Sequence, residues 1–176
     1  MSKAKATRVI IKLKHPHCYR GIQYAEDVVS GKIAAGKYII GACERFLTDL
    51  DNDKAKFYFD ADAAEKYLRN VQNFHHVEGH WASPTIKYEP WQCWVWMNIM
   101  GFKMKDTGFR RFRVVHLEVA RGNAKSTMAS QAALYFLALD NPNGIHYLSE
   151  CIVVHYPHRN ILWAEHMEIV STIIKP

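Results

Sequence analysis

An α/β fold is predicted for this chain: a partial parallel sheet carrying a phosphate-binding loop, preceded by a helical N-terminal region. Three observations predict it. The β-prone run Val114 to Ala120 breaks into Arg121-Gly122-Asn123-Ala124-Lys125-Ser126-Thr127, and a long apolar segment then runs to about Leu139. That order of strand, tight loop and buried helix lets backbone N–H groups and a helix N-terminus hold a phosphate. Between Ile22 and Phe74, apolar residues recur at helical spacing. Beyond the terminator Asp140-Asn141-Pro142-Asn143-Gly144, Ile145 to Leu148 and Cys151 to Val154 each have strand character, which gives the beginnings of a βαβ unit.

Composition supports a folded chain. At 176 residues and 49% hydrophobic, it is long enough for one domain with a real core and too apolar for disorder. No apolar run approaches the roughly 20 residues that span a membrane, and no signal-peptide core follows the basic start Met1-Ser2-Lys3-Ala4-Lys5. The expected location is the cytoplasm. Cys18, Cys43, Cys93 and Cys151 are scattered without a C-x-x-C pair, so they read as reduced, mostly buried thiols rather than zinc ligands or disulfides.

The net charge of +6 and pI near 9.1 favour polyanion partners. Lys3, Lys5, Arg8, Lys12 and Lys14 form one basic cluster; Lys103, Lys105, Arg110, Arg111 and Arg113 form another. Each reads first as a solvated basic face. The second is the better candidate for DNA contact because it precedes the loop.

Taken in order, Thr7 to Leu13 is β-prone and basic, an arm ended by His15-Pro16-His17. Helices are expected from Ile22 to about Ile33 and from about Ile39 to Leu50, separated at Gly36. Asp49-Leu50-Asp51-Asn52-Asp53 lacks the glycine and terminal glutamate of a calcium loop and reads as a solvated turn. Asp62 and Glu65 are spaced as a capping box, with Ala64, Tyr67, Leu68, Val71 and Phe74 on one helix face. His75, His76, Glu78 and His80 lack H-E-x-x-H spacing and read as a polar loop. Pro90 suits the first position of a helix whose Trp91, Trp94, Val95 and Ile99 share a buried face. The helix after Ser126 is apolar enough to be buried on more than one side.

The loop itself departs from G-x-x-x-x-G-K-[ST]. Val119 and Ala124 stand at the two glycine positions, with Gly122 between them. Lys125 can reach phosphates and Ser126 can ligate Mg²⁺. Locally, a strand-to-helix connection with a solvated lysine accounts for the run nearly as well.

The run Glu118 to Thr127 resembles the deviant Walker A loop of tailed-bacteriophage terminase large subunits, which begins with Ala-Arg or Gly-Arg and ends in Gly-Lys-Ser or Ala-Lys-Ser. Glu89-Pro90-Trp91-Gln92, the aromatic helix after it, Gly101-Phe102 and Arg110-Arg111-Phe112 resemble the segment that precedes that loop, in matching order and spacing. The resemblance covers about residues 18 to 150. It implies an ATPase that packages double-stranded viral DNA in a bacterial host, using ATP and Mg²⁺, with the small terminase subunit and the portal as partners. It further implies Gln92 on adenine and Arg121, Gly122, Asn123, Ala124, Lys125, Ser126 and Thr127 around the phosphates. Ser126 would also face the metal, and Arg121 would stabilise transition-state charge.

Three regions follow: residues 1–80 as the helical N-terminal region, 81–150 as a partial P-loop NTPase core, and 151–176 as an atypical tail. No apolar run after the loop ends in the acidic pair that holds Mg²⁺ for hydrolysis, and the family's nuclease domain has no counterpart. The tail, with His155, His158 and His166 at no standard metal spacing, reads as truncation or a changed reading frame. The alternative is a docking module for DNA or a packaging partner, without turnover, or a defective prophage remnant.

Overall fold

Pro90–Gly101 is the most apolar helix among the described residues, and Gln92 to Met97 and Ile99 to Gly101 are all buried. A helix without a polar face has to sit inside the structure rather than on it. The computed structural model describes residues 11–75, 85–120, 122–140 and 168–170, whose elements include this helix. They are α1 (Pro16–Val29), α2 (Lys37–Leu50), β1 (Phe57–Phe59), α3 (Ala61–Val71), α4 (Pro90–Gly101), β2 (Phe102–Met104), β3 (His116–Glu118), α5 (Lys125–Tyr135) and β4 (Glu168–Val170). A π-helical turn, Phe136–Asp140, continues α5.

The chain is mixed α/β. β1 and β2 pair antiparallel from Phe57 opposite Met104 to Phe59 opposite Phe102, and β3 and β4 pair antiparallel from His116 opposite Val170 to Glu118 opposite Glu168. Among the described residues every strand pairing is antiparallel. The strands expected at Ile145 to Leu148 and Cys151 to Val154 lie outside the described residues.

α1 crosses α4 at Gly21, where a Cβ would come within 2.9 Å of the Trp94 nitrogen and 2.5 Å of Met97 Sδ. Only glycine permits that approach. One cluster of buried side chains extends from Ile11 through Phe46, Tyr67, Trp94 and Phe102 to Met128 and Tyr135, crossing the boundary expected at residue 80. Phe102 sits at its centre with Phe46, Phe57, Phe59 and Phe112 packed edge-on, ring centroids 5.2 to 6.3 Å away. Cys18, Cys43 and Cys93 are free and buried, as expected, and burial pushes the Cys43 thiol up to about 12 and Cys93 to about 11.

Three local expectations are corrected. Residues 11–14 form a helical turn rather than a β-prone arm, and Pro16 opens α1 instead of merely ending a strand. Proline's missing N–H costs nothing at that position. α3 is capped by Asp60, whose Oδ1 accepts the Ala63 N–H at 2.9 Å, rather than by an Asp62–Glu65 box. Glu65 instead points into the core and caps α1. Its carboxylate accepts the backbone N–H groups of His17 and Cys18 at 3.1 and 3.0 Å and the His17 ring nitrogen at 2.6 Å. An anion at a helix N-terminus is favoured both by the orphan N–H groups and by the helix dipole. Phe74, expected on the buried face of α3, lies past its end and is partly exposed.

Burial alone would raise the Glu65 pKa, but the His17 and Cys18 donors outweigh it and hold the carboxyl below the usual glutamate range. A depressed folded-state pKa means stability that is fully present above the unfolded value, about 4.3, and lost as pH falls through the folded value. Glu65→Gln puts an NH₂ among donors and removes the charge. It is expected to cost about 1–3 kcal/mol at neutral pH and to flatten the acid limb of the stability curve. Urea unfolding of both forms between pH 7 and 3 checks this, with the gap closing toward the acid end.

Candidate phosphate-binding loop

β3 ends at Glu118 and α5 starts at Lys125, so residues 119–124 form the connecting loop. Gly122 has φ +90° and Ala124, the residue just before α5, has φ 57° and ψ 25°. Both lie in the left-handed region. Glycine enters it freely; alanine pays about 1–2 kcal/mol because its Cβ crowds the carbonyl. Ala124 is the sole non-glycine residue with positive φ among the described residues. The strain falls where the ordinary phosphate-loop pattern has its second glycine.

The left-handed turn brings the loop into α5. The Met128 N–H donates to the Ala124 carbonyl at 2.9 Å, closing the first helical turn, and no side chain caps this end. The first N–H groups of any helix lack intrahelical partners, so Lys125, Ser126 and Thr127 present donors at the positive end of the helix dipole. The Lys125 ammonium folds over the loop and donates to the carbonyls of Val119 and Ala120, the latter at 2.9 Å. Asn123 Nδ2 donates to the same Ala120 carbonyl at 3.0 Å. Gly122, Asn123, Ala124 and Ser126 are exposed, and Lys125 and Thr127 are half-buried. Six of the eight expected site residues, Gly122 to Thr127, are therefore brought together. Arg121 lies outside the described residues.

α5 is buried on one face only. Met128, Gln131, Ala132 and Tyr135 point inward, while Leu134 is 48% exposed. This corrects the expectation of burial on more than one side: an apolar sequence does not by itself supply a second covering layer. Leu139 in the following turn is also exposed. The inward face carries one polar residue, Gln131, which accepts from the Tyr88 hydroxyl at 2.7 Å and donates to the Val71 carbonyl at 3.0 Å.

Gln92 sits in the first turn of α4 and is buried, neither a surface residue nor a freely rotating one. Its Oε1 accepts the Glu89 N–H at 2.8 Å, half of a reciprocal capping box with the Glu89 side chain. The Glu89-x-x-Gln92 spacing carried that signal in the sequence.

The second basic cluster is largely absorbed by the fold. Lys103 pairs with Asp60 at 2.7 Å, Arg110 with Asp140 at 2.6 Å and Arg111 with Asp49 at 2.7 Å, and the Lys105 ammonium donates to the Asp53 carbonyl at 2.7 Å. Asp49 is thus an ion-pair partner, not part of a solvated turn. The Arg111 guanidinium also lies 3.7 Å from the Phe57 ring centroid and 4.9 Å from that of Phe112. In the first cluster, Lys12 and Lys14 are exposed, and Lys3, Lys5 and Arg8 lie outside the described residues.

No group of three or more His, Cys, Asp or Glu side chains among the described residues is placed to hold a metal. His75 forms an isolated bridge with Thr85, while His76, Glu78, His80, His155, His158 and His166 lie outside the described residues. No helix among the described residues is long and apolar enough to cross a membrane.

Two outcomes follow from this geometry. Ala124→Gly relieves the left-handed strain and loses no packing, against an unfolded-state entropy cost of about 0.4–1 kcal/mol; the net is a stabilisation of up to about 1 kcal/mol, measured as a higher unfolding midpoint. Arg111→Ala is expected to cost about 2 kcal/mol through lost stacking and an unpaired Asp49, whereas Arg113→Ala at its exposed position changes the midpoint within error. Equal effects of the two arginine variants would contradict the structural role given to Arg111. No protein-family model, curated protein or solved structure matches this chain.

Proposed function

We propose that this chain is the nucleotide-binding, N-terminal part of a terminase-like ATPase that packages double-stranded viral DNA, with residues 119–127 holding the phosphates of ATP. The observation that supports this reading most is the left-handed Ala124 immediately before Lys125 at the start of α5. A strained alanine at an exposed loop has no packing reason. A strained residue at the start of a helix whose first N–H groups no side chain caps has a binding one.

In this reading β3, the loop and α5 are the start of a parallel P-loop core. The Lys125 ammonium leaves the Val119 and Ala120 carbonyls for phosphate oxygens, exchanging two neutral acceptors for charged ones. Ser126, whose exposed hydroxyl follows Lys125, would hold Mg²⁺ together with the phosphates; one hydroxyl suits an ion that keeps most of its shell as phosphate oxygens and water. Arg121 serves the developing charge, and Gln92 meets adenine only once its amide turns out of the Glu89 capping box. Portal and small-subunit contacts belong to the same proposal. DNA binding through Lys103, Lys105, Arg110 and Arg111 is not part of it, because those charges already have internal partners.

The test compares wild type and Lys125→Ala by thermal unfolding with and without Mg²⁺ and a non-hydrolysable ATP analogue. Ligand at about a hundred times its dissociation constant adds roughly 2.7 kcal/mol, a shift of several degrees in a chain of this size. The shift is expected in the wild type and absent in Lys125→Ala. A wild type that unfolds cooperatively at the same temperature with and without ligand would refute nucleotide binding.

A further inference from the structure

We propose that the carbonyls of Val119 and Ala120 form a site for a monovalent cation of potassium size, filled in the free loop by the protein's own Lys125 ammonium and open to K⁺ once that ammonium is drawn away. The site stands apart from the nucleotide reading. Its filling in the wild type rests on that reading, because a bound phosphate is what draws the lysine off.

Lys125 opens α5, yet its side chain turns back onto the loop before it. The ammonium donates to the Ala120 carbonyl at 2.9 Å and lies closer still to the Val119 carbonyl. Holding a long side chain bent in this way costs rotamer entropy, so the attraction of the two oxygens for a cation outweighs that cost. Both oxygens meet one ammonium and therefore converge on a single point. The ammonium stands in for the ion.

The loop has other means of keeping that point in place. Asn123 Nδ2 donates to the Ala120 carbonyl at 3.0 Å, which leaves the second lone pair of that oxygen for a cation. Left-handed backbone at Gly122 and Ala124 sets the turn, and the Met128 N–H on the Ala124 carbonyl fastens its far end to α5. The chemistry of the donors then selects the ion. Both are neutral carbonyls, whereas Mg²⁺ and Ca²⁺ are held in proteins largely through carboxylates. No group of three or more His, Cys, Asp or Glu side chains among the described residues is placed to add such ligands. Backbone carbonyls are the donors that replace the hydration shell of K⁺. An ammonium and K⁺ are close in size, while Na⁺ is smaller and tetramethylammonium is larger and has no N–H. A K⁺ at this point would also take over the lysine's task of fastening the loop.

Thermal unfolding of wild type and Lys125→Ala in potassium, sodium, methylammonium or tetramethylammonium chloride at equal ionic strength tests the site. In Lys125→Ala, K⁺ and methylammonium are expected to raise the midpoint by about 3 °C over tetramethylammonium, with a smaller rise in Na⁺. The wild type, its site already filled, is expected to show no difference between the cations. A Lys125→Ala midpoint that is the same in all four salts overturns the proposal, as does Na⁺ matching K⁺. An equal K⁺ effect in the wild type also overturns it, because the ion then binds elsewhere. Lys125→Met, which keeps the apolar stem, takes the place of the alanine variant if that one fails to fold. The second readout is calorimetric titration of Mg²⁺ with AMP-PNP into the wild type. Binding about tenfold tighter in K⁺ than in tetramethylammonium is expected, since coupled ligands strengthen each other reciprocally; equal affinity overturns the filling of the site in the wild type. A wild type that binds no AMP-PNP in any salt refutes the nucleotide reading, and the Lys125→Ala midpoints then decide the cation site by themselves.

Discussion

A helix with no polar face must be covered on every side, and α4 imposes that requirement on the rest of the chain. Trp94, Trp96, Met97 and Met100 leave no stretch of α4 that tolerates water, so α1 and α3 pack against it and β2 continues directly from its end. Gly21 lets α1 come close enough to seal one side. Phe102, the first residue past the helix, carries the burial into a ring of phenylalanines that β1 and Phe112 complete. The site elements inherit their placement from this core, because α5 attaches to it through Met128, Gln131, Ala132 and Tyr135.

Apolar burial supplies most of the driving force but says little about register, since Leu and Met tolerate sliding. Register comes from a few polar groups taken out of water. Glu65 reaches back 48 residues to hold the first turn of α1. Arg111 ties the segment after β2 to the end of α2 through Asp49, and its flat guanidinium fits the aromatic ring faces beside it. Gln131 does the same for α5 without charge. Each is satisfied on more than one side, which is the condition under which a buried polar group fixes geometry instead of costing stability.

α2 and α3 were legible in the sequence, since amphipathic spacing puts Ile39 to Leu50 and Ala64 to Val71 on helices. The first helix runs Pro16–Val29 rather than from Ile22 to about Ile33, because Pro16 and the Glu65 cap start it about a turn and a half earlier. The loop was legible as a strand-to-helix turn with Lys125 at the helix start. The roles of charged residues were not. Glu65 has capping-box spacing with Asp62, and nothing local distinguishes a carboxylate that caps its own helix from one that caps a helix 48 residues earlier. The basic run from Lys103 to Arg113 likewise looks solvated until Asp49, Asp60 and Asp140 are folded against it. Long-range ion pairs leave no periodic trace. Neither does the burial of Gln92, whose capping box was present in the spacing but whose surroundings were set by α4's uniform apolarity.

The loop shows how an alanine can be held in a backbone position ordinarily given to glycine. Ala124 in place of glycine costs about 1–2 kcal/mol of backbone strain, and something must hold it there. Met128 closes the helix behind it, and Lys125 and Asn123 both donate to the Ala120 carbonyl in front. These bonds fasten the two ends of the turn, so the left-handed residue is over-determined by its neighbours rather than by its own preference. The same lysine that would meet a phosphate therefore also closes the loop. Moving it to an anion releases two carbonyls and leaves Asn123 as the remaining clamp, so under the proposed reading the substitution that removes the lysine removes both a phosphate contact and a fastener. Separating those two effects requires relieving the strain at Ala124 independently, and glycine there does so without touching any group that could contact a nucleotide through its side chain.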